Sequence, residues 1–417
     1  MWATYTRISL IKRIIIGIVI GFVLGLTLPS WTWIGVIGNL FINALKAIAP
    51  ILVFFIITAA LARHKKGSQT NMRSIVILYL GATFVAALVA VIVTYLFPIT
   101  VVFPKEAVAG VPKAPKAIGE VINQLLMNAV ANPVSALMEG NYLSILFWAV
   151  LLGLGLRSIG EATKKTVIDL SEAVTHVVQS IIQMAPFGII GLVFNSVAST
   201  GIKGMATYGR LILLLAGTMF FVNFVIYPLM TWLMVRQNPF PLTWFAFKES
   251  GIPAFFTRSS AVNIPINLDL ARRLKLDKNT YSISIPLGGS ANSGGAAITI
   301  SIMTLTAANT LGLHVDFFTA FLLCLLTAIS ATGASGIAGG SLLLIPLSCS
   351  LFGISNDIAM QMVGIGFIIG VIQDAVETAV NSASDLVFTA TAEYAHLRRI
   401  GQPVDIVKQV REARETD

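Results

Sequence analysis

Charge is what this chain has least of. Only 11% of its 417 residues are Asp, Glu, Lys or Arg, against about a quarter in a soluble globular protein. Hydrophobic residues make up 56% and the mean hydropathy is +0.84, which excludes a soluble domain and reads as a polytopic membrane protein. Cysteine is nearly absent. Cys324 and Cys349 both lie in apolar sequence with no CxxC, so there is no disulfide framework and both read as buried small residues. No linker rich in Pro, Gly, Ser or charge sets off a second domain, so residues 1–417 read as one membrane unit. The N-terminus has the basic start of a signal peptide, but no A-x-A site follows its long apolar run. That run reads as a retained first span, and a bacterial-type inner membrane is the simplest address. The net charge of +9 could suggest nucleic acid, but the Lys and Arg residues lie between apolar spans. They set orientation, and no nucleic-acid partner is expected.

The spans read in order as about 8–29, 33–61 and 74–97, then a short helical piece and a full span within 121–156, then 165–199 and 209–235. Breaks are expected at Asn132-Pro133, at Glu139-Gly140-Asn141 and, as a kink, at Pro186-Phe187-Gly188. Lys46 lies inside the second span, where it can reach a headgroup, a carbonyl or a neighbouring helix. Arg63, His64, Lys65, Lys66 and Arg73 make a basic loop that puts this side and the N-terminus in the cytoplasm. The Pro-, Ala- and Lys-rich stretch after Phe97 reads as an irregular outer loop. The mixed-charge tail from about Arg398 to Asp417 reads as a solvated cytoplasmic end.

After Arg236 the texture changes. The segment 247–276 carries a polar Thr257-Arg258-Ser259-Ser260 centre between apolar arms too short to cross about 30 Å. A helical hairpin that enters and leaves on one side fits, because irregular backbone at membrane depth is tolerated only against protein or water. The next span is interrupted by the run Gly288 to Gly295. About 75 residues on, a second pair of short arms flanks the small-residue tip 331–341, and a helix with a polar stripe follows. Two hairpins meeting from opposite faces are the signature of an inverted-repeat transporter with its site at the midplane.

The stripe lies in 372–391. Asp374, Thr378, Asn381 and Asp385 follow i, i+4, i+7, i+11 spacing, with Glu377 at the edge. An ionised side chain at mid-bilayer costs about 2.5–3.5 kcal/mol on insertion scales, so the stripe should face protein or a watery cavity.

Four ordered motifs, 257–265 (TRSSAVNIP), 286–296 (PLGGSANSGGA), 333–341 (GASGIAGGS) and 374–385 (DAVETAVNSASD), resemble the signatures of the sodium:dicarboxylate and neutral amino acid symporter family, within it the sodium/serine-threonine branch. The resemblance covers essentially the whole chain. It implies an all-α membrane protein of eight spans and two re-entrant hairpins. It also implies a homotrimer in which a transport core, mainly 73–98 and 203–396, slides like an elevator against a scaffold, mainly 8–62 and 119–200. For the substrate it implies Ser259, Ser260 and the backbone of Ile337 at the two tips, Asp374 on the α-ammonium and Asn381 on the α-carboxylate. Arg258 is expected to pair with Asp374 or Glu377. Thr378 either meets a substrate hydroxyl or packs its own helix. Sodium, the coupling ion, would bind the carbonyls of Gly288, Asn292 and Asn381 with the Asp385 carboxylate. A second ion would lie between Ser290 and the backbone of Ala331, Thr332 and Ala334. No organic cofactor is expected.

Three departures bear on the substrate and the coupling. Carriers of acidic substrates have an arginine at the position of Glu377 and a threonine at that of Ala296. Here the negative Glu377 would repel a second substrate carboxylate, which favours small neutral hydroxyl amino acids, serine and threonine. Gly294 stands where relatives use an aspartate for a further sodium, and Ala82 replaces a hydroxyl ligand of the same site, so fewer coupled ions are expected. Two alternatives remain: a sodium- or proton-coupled dicarboxylate or acidic amino acid symporter, and an intramembrane serine protease built on Gly333-Ala334-Ser335-Gly336. The protease needs a histidine on a later span. The histidines are His64, His176, His314 and His396, and none falls on a span after Ser335.

Overall fold

Backbone at membrane depth must satisfy its own hydrogen bonds, and every regular element among the described residues is helical. The structure, a computed structural model, describes residues 10–62, 72–102, 127, 130–334 and 339–415. The basic loop at 63–66, most of the outer loop after Phe97, and the tip residues Ser335 and Ile337 lie outside that range. Among the described residues, four helices are long and apolar enough to cross a bilayer, or five if one bent pair counts as a span.

The first half is a helical frame. Helices α1 (Leu10–Thr27), α2 (Trp33–Ala62) and α3 (Met72–Leu96) are followed by α4 (Pro133–Glu139), α5 (Tyr142–Leu156), α6 (Glu161–Gln183) and α7 (Ala185–Phe221), the last broken into two helices at Gly201 (φ 64°, ψ −165°). Helix α7 packs along α1 and α2. The α2–α7 crossing is close because both sides are glycine there: a Cβ on Gly191 would lie 2.3 Å from the Gly38 nitrogen. The chain breaks at 132 and 139–141 as expected. The Asn132 side chain accepts from Val134 N and Ser135 N to start α4, and Gly140, at φ 67°, ends it in the left-handed region. Helix α5 corrects one expectation. With 15 residues it is about 22 Å long, short of a full span. The bend between α6 and α7 is 54° and sits at Met184, just before the expected kink.

The second half builds the two hairpins. A π turn (Val222–Ile226) joins α7 to α8 (Tyr227–Val235). The first arm of hairpin 1 is α9 (Phe240–Ala246), a π turn (Phe247–Gly251) and α10 (Ile252–Thr257); the return arm is α11 (Ser260–Arg273). The tip is two residues. Arg258 closes α10 in the left-handed region (φ 50°), and Ser259 is extended, its Oγ accepting from Val262 N at 3.4 Å. The interrupted span becomes α12 (Lys278–Ala291) and α13 (Gly294–Thr310), parted only at Asn292 and Ser293. Hairpin 2 comprises α14 (Phe317–Ala334), a 3-10 turn (Gly340–Leu344) and α15 (Ile345–Ser350).

The polar-striped segment is the middle of one 44-residue helix, α16 (Asn356–Arg399). It touches both hairpins, α8, α12, α13, α7 and α3, and its residues from Ala375 to Ala395 are all buried. The tail departs from the solvated end read in the sequence. It folds into α17 (Ile406–Glu415), with Ile406, Val410 and Ala413 buried.

Candidate functional site

The site is where α16 meets the two hairpin tips and the break between α12 and α13. Asp374 is held from both tips. Its Oδ2 accepts from Arg258 Nε at 2.7 Å and pairs with Nη2 at 2.5 Å, while Oδ1 accepts from Gly339 N at 3.1 Å. The two side chains are 9% and 5% exposed. Of the two carboxylates open to it, Arg258 takes Asp374. Burying that charge is tolerable because it is paired and hydrogen-bonded. A small cavity of about 10 Å³, room for about one water, lies against this pair, with Ile14, Ile182 and Phe367 among its walls.

One turn along, Glu377 is met by neutral donors. Its Oε2 accepts from Gln373 Nε2 (2.5 Å), Thr299 Oγ1 (2.7 Å) and Ser341 Oγ (2.9 Å). Those donors come from its own helix, from α13 and from the return of hairpin 2, so the carboxylate ties three elements together. Among the candidate substrate residues, Ser260, Glu377 and Thr378 are each 7% exposed, Asn381 6% and Asp374 4%. This polar face is nearly closed. Ser259 caps α11 beside Ser260, and Thr378 Oγ1 donates to its own helix at Asp374 O (2.7 Å). Ile337 lies outside the described residues.

A second cluster forms at the break. Asn292 Nδ2 donates to Asn381 O (3.2 Å), Ser384 Oγ (2.7 Å) and Asp385 Oδ1 (2.9 Å), and Asn292 N donates to Gly288 O (2.9 Å). Asn381 Oδ1 accepts from Gly295 N at 2.8 Å. Gly288 must be glycine here: a Cβ would lie 2.6 Å from Asp385 Oδ1. Gly288, Asn292, Asn381 and Asp385, far apart in sequence, are thus neighbours. Among the described residues, the buried Asn292 Oδ1 has no hydrogen-bond partner. An orphaned amide oxygen beside a buried carboxylate is a pair of hard oxygen donors of the kind that fits a monovalent cation.

The second expected ion position is less developed. Helix α12, carrying Ser290, packs against α14, carrying Ala331, Thr332 and Ala334. Yet Ser290 Oγ donates to Leu287 O (3.0 Å) and Thr332 Oγ1 to Ile329 O (2.7 Å), both within their own helices. At Gly294 the missing side chain is replaced by a neighbour. A Cβ there would lie 1.9 Å from the Tyr227 hydroxyl and 3.4 Å from the Ala86 Cβ, so the room an acidic residue would need is filled.

Several site residues escaped the sequence reading. Gln373 was within reach, four residues before Glu377 on the same helix face. Thr299 and Ser341 had no local signal, being hydroxyls in apolar helices far along the chain. Tyr79, bonded to Ser284 O (3.2 Å), Asp385 O (3.3 Å) and Thr389 Oγ1 (3.0 Å), supports the Asp385 cluster from α3. Asn263 of hairpin 1, bonded to Ser250 Oγ (2.8 Å) and Ser382 Oγ (2.6 Å), fixes that hairpin to α16.

The chain is 60% identical over 413 residues to the serine/threonine transporter SstT of Lacticaseibacillus paracasei, covering 99% of this chain and 95% of that protein. The proteins of the same name from Enterococcus faecalis and Streptococcus agalactiae are 57% identical over 400 residues and 55% over 389. They cover 96% and 93% of this chain, and 95% and 96% of their own lengths. The model of the sodium:dicarboxylate symporter family matches residues 10–394, a range holding both hairpins, the broken span and the whole carboxylate stripe. With that match over nearly its full length, the chain belongs to the sodium:dicarboxylate symporter family.

Proposed function

We propose that this protein imports small neutral hydroxyl amino acids, L-serine and L-threonine, by sodium symport. The observation that carries the reading is the junction on α16. One carboxylate, Asp374, is shared by both hairpin tips, and a second, Glu377, stands one turn away where a substrate side chain would lie. Asp374 suits an α-ammonium. Glu377 makes the pocket hostile to a second carboxylate. Relatives named serine/threonine transporters at 55–60% identity favour the same substrates.

In this reading Asp374 exchanges its Arg258 partner for the substrate ammonium, Asn381 takes the carboxylate, and the tips at Ser259-Ser260 and Ile337 close from either side. Sodium binds at Gly288, Asn292, Asn381 and Asp385, and again between Ser290 and the hairpin 2 backbone at Ala331, Thr332 and Ala334. Sodium supplies the driving force, and these residues hold and order both solutes. The filled space at Gly294 supports fewer coupled ions than in acidic-substrate carriers. No enzymatic step enters.

The wider architecture follows as part of the same proposal: eight spans, the fourth made by α4 and α5 together, and two hairpins, both termini cytoplasmic, in a cell inner membrane. The core of 73–98 and 203–396 moves as an elevator against a trimeric scaffold of 8–62 and 119–200. The ion pair of Lys46 on α2 with Asp357 on α16 bridges these two parts, so it would break and reform with the motion.

Uptake of labelled L-serine into liposomes holding the purified protein tests this, with an inward sodium gradient or potassium only. Sodium-dependent uptake blocked by threonine and not by aspartate is expected. Uptake indifferent to sodium but driven by a pH gradient would move the coupling to protons, and block by aspartate would overturn the role of Glu377.

A further inference from the structure

The tail was expected to be solvated, yet α17 is bound at the open end of hairpin 1. Its Ile406, Val410 and Ala413, at i, i+4, i+7 spacing, are 0%, 2% and 0% exposed. They enter one apolar cluster with Leu242 and Phe245 of the first arm, Leu270 and Leu274 of the return arm, and Leu386 and Tyr394 of α16. Helix α17 touches both α9 and α11, so it spans the two arms at the end away from the tip.

Polar contacts fix the register. The Gln237 side chain, just ahead of hairpin 1, donates from Nε2 to Val404 O and accepts from Ile406 N at Oε1 (3.0 Å). A single amide thus reads the backbone on either side of Asp405, whose Oδ1 caps α17 through Lys408 N (3.0 Å). At the other end Glu412 Oε2 meets Lys275 Nζ at 2.8 Å, on the turn that leaves the return arm. Arg398 Nη1 reaches Val235 O and ties the end of α16 to the same corner.

We infer that α17 is a brace that holds the two arms of hairpin 1 together at their base and so positions the tip, Arg258 to Ser260, against Asp374. The apolar stripe supplies the adhesion, since burying Val and Ile side chains removes apolar surface from water; Gln237 sets where it sits. A hairpin whose arms are clamped at one end transmits the clamp to the other, because each arm is a hydrogen-bonded helix and the tip between them is two residues long. That the tip then gates the cytoplasmic exit rests on the transport reading above. The brace itself does not.

The full-length protein carrying Ser259→Cys tests it, since Cys324 and Cys349 are buried. The rate of reaction with a water-soluble maleimide is measured in vesicles, alone and combined with Val410→Asp or with Gln237→Leu. Limited trypsin cleavage at Lys408 and Arg411 reports whether α17 has come away. At least threefold faster labelling in Val410→Asp, and a smaller rise in Gln237→Leu, is expected as α17 becomes cleavable. Unchanged labelling with α17 freely cleaved overturns the brace. If Val410→Asp fails gel filtration, Gln237→Leu decides by the same criterion. Sodium-driven serine uptake by the parent protein is read alongside, and its absence would remove the transport reading while leaving the labelling result to judge the brace.

Discussion

The Arg258–Asp374 pair gives the sharpest energetic prediction. Replacing Arg258 by alanine removes both guanidinium contacts at 2.7 and 2.5 Å and leaves Asp374, among the described residues, with the backbone donor Gly339 N. Breaking a buried ion pair by deleting one partner costs about 3–5 kcal/mol, mostly because the surviving charge stays desolvated. The cavity beside the pair lets water reach Asp374, so about 3 kcal/mol is the expected loss for Arg258→Ala. Asp374→Ala should cost less, because the long arginine can swing its head toward water. The double variant should then be less destabilised than the sum of the singles, with a coupling of about 2 kcal/mol. Reversible unfolding of the purified protein in mixed detergent micelles measures all four corners of the cycle. A coupling below about 0.5 kcal/mol, with both single variants folded, would refute the pairing as a stabilising contact. Unchanged serine uptake by Arg258→Ala would refute its place in the site.

The remaining predictions are smaller in scope. Glu377→Gln removes a charge that at about 5 Å and an effective dielectric of about 20 repels a carboxylate by about 3 kcal/mol, so aspartate should inhibit serine uptake at least tenfold more strongly in this variant; equal inhibition constants would exclude the repulsion. Gly294→Ala drives a methyl into the Tyr227 hydroxyl at 1.9 Å and should destabilise by about 1–3 kcal/mol. Tyr227→Phe, which deletes a buried hydroxyl without a partner, should be nearly neutral alone and relieve much of that cost, as the same unfolding assay would show. The Lys275 ammonium bonded to Glu412 holds that carboxyl below its ordinary value of 4.5. A depressed carboxyl pKa stabilises the folded contact above that ordinary value and loses the gain as pH falls through the folded one. Tryptic release of α17 should therefore not change near neutral pH and should rise only in acid; release that rises with alkali instead would contradict the sign.

The sequence alone determined the membrane character, since 11% charge cannot solvate a surface of this size. It also placed the hairpin tips and the break, because Thr257-Arg258-Ser259-Ser260 and the Gly288–Gly295 run are the polar or small interruptions that no lipid-facing helix tolerates. The stripe on α16 was legible for the same reason: Asp374, Thr378, Asn381 and Asp385 repeat with the helix. What the stripe residues bond to was not legible. Whether Arg258 takes Asp374 or Glu377, and whether Glu377 is steadied by Thr299 and Ser341, depends on contacts between residues as much as 116 positions apart, which no local pattern encodes. The missed brace has the same cause. Ile406, Val410 and Ala413 make a stripe only three residues long in a highly charged stretch, too weak to announce a helix that tertiary packing then stabilises. Periodicity fixes which face of a helix is polar or apolar. Only the packed chain decides what that face meets.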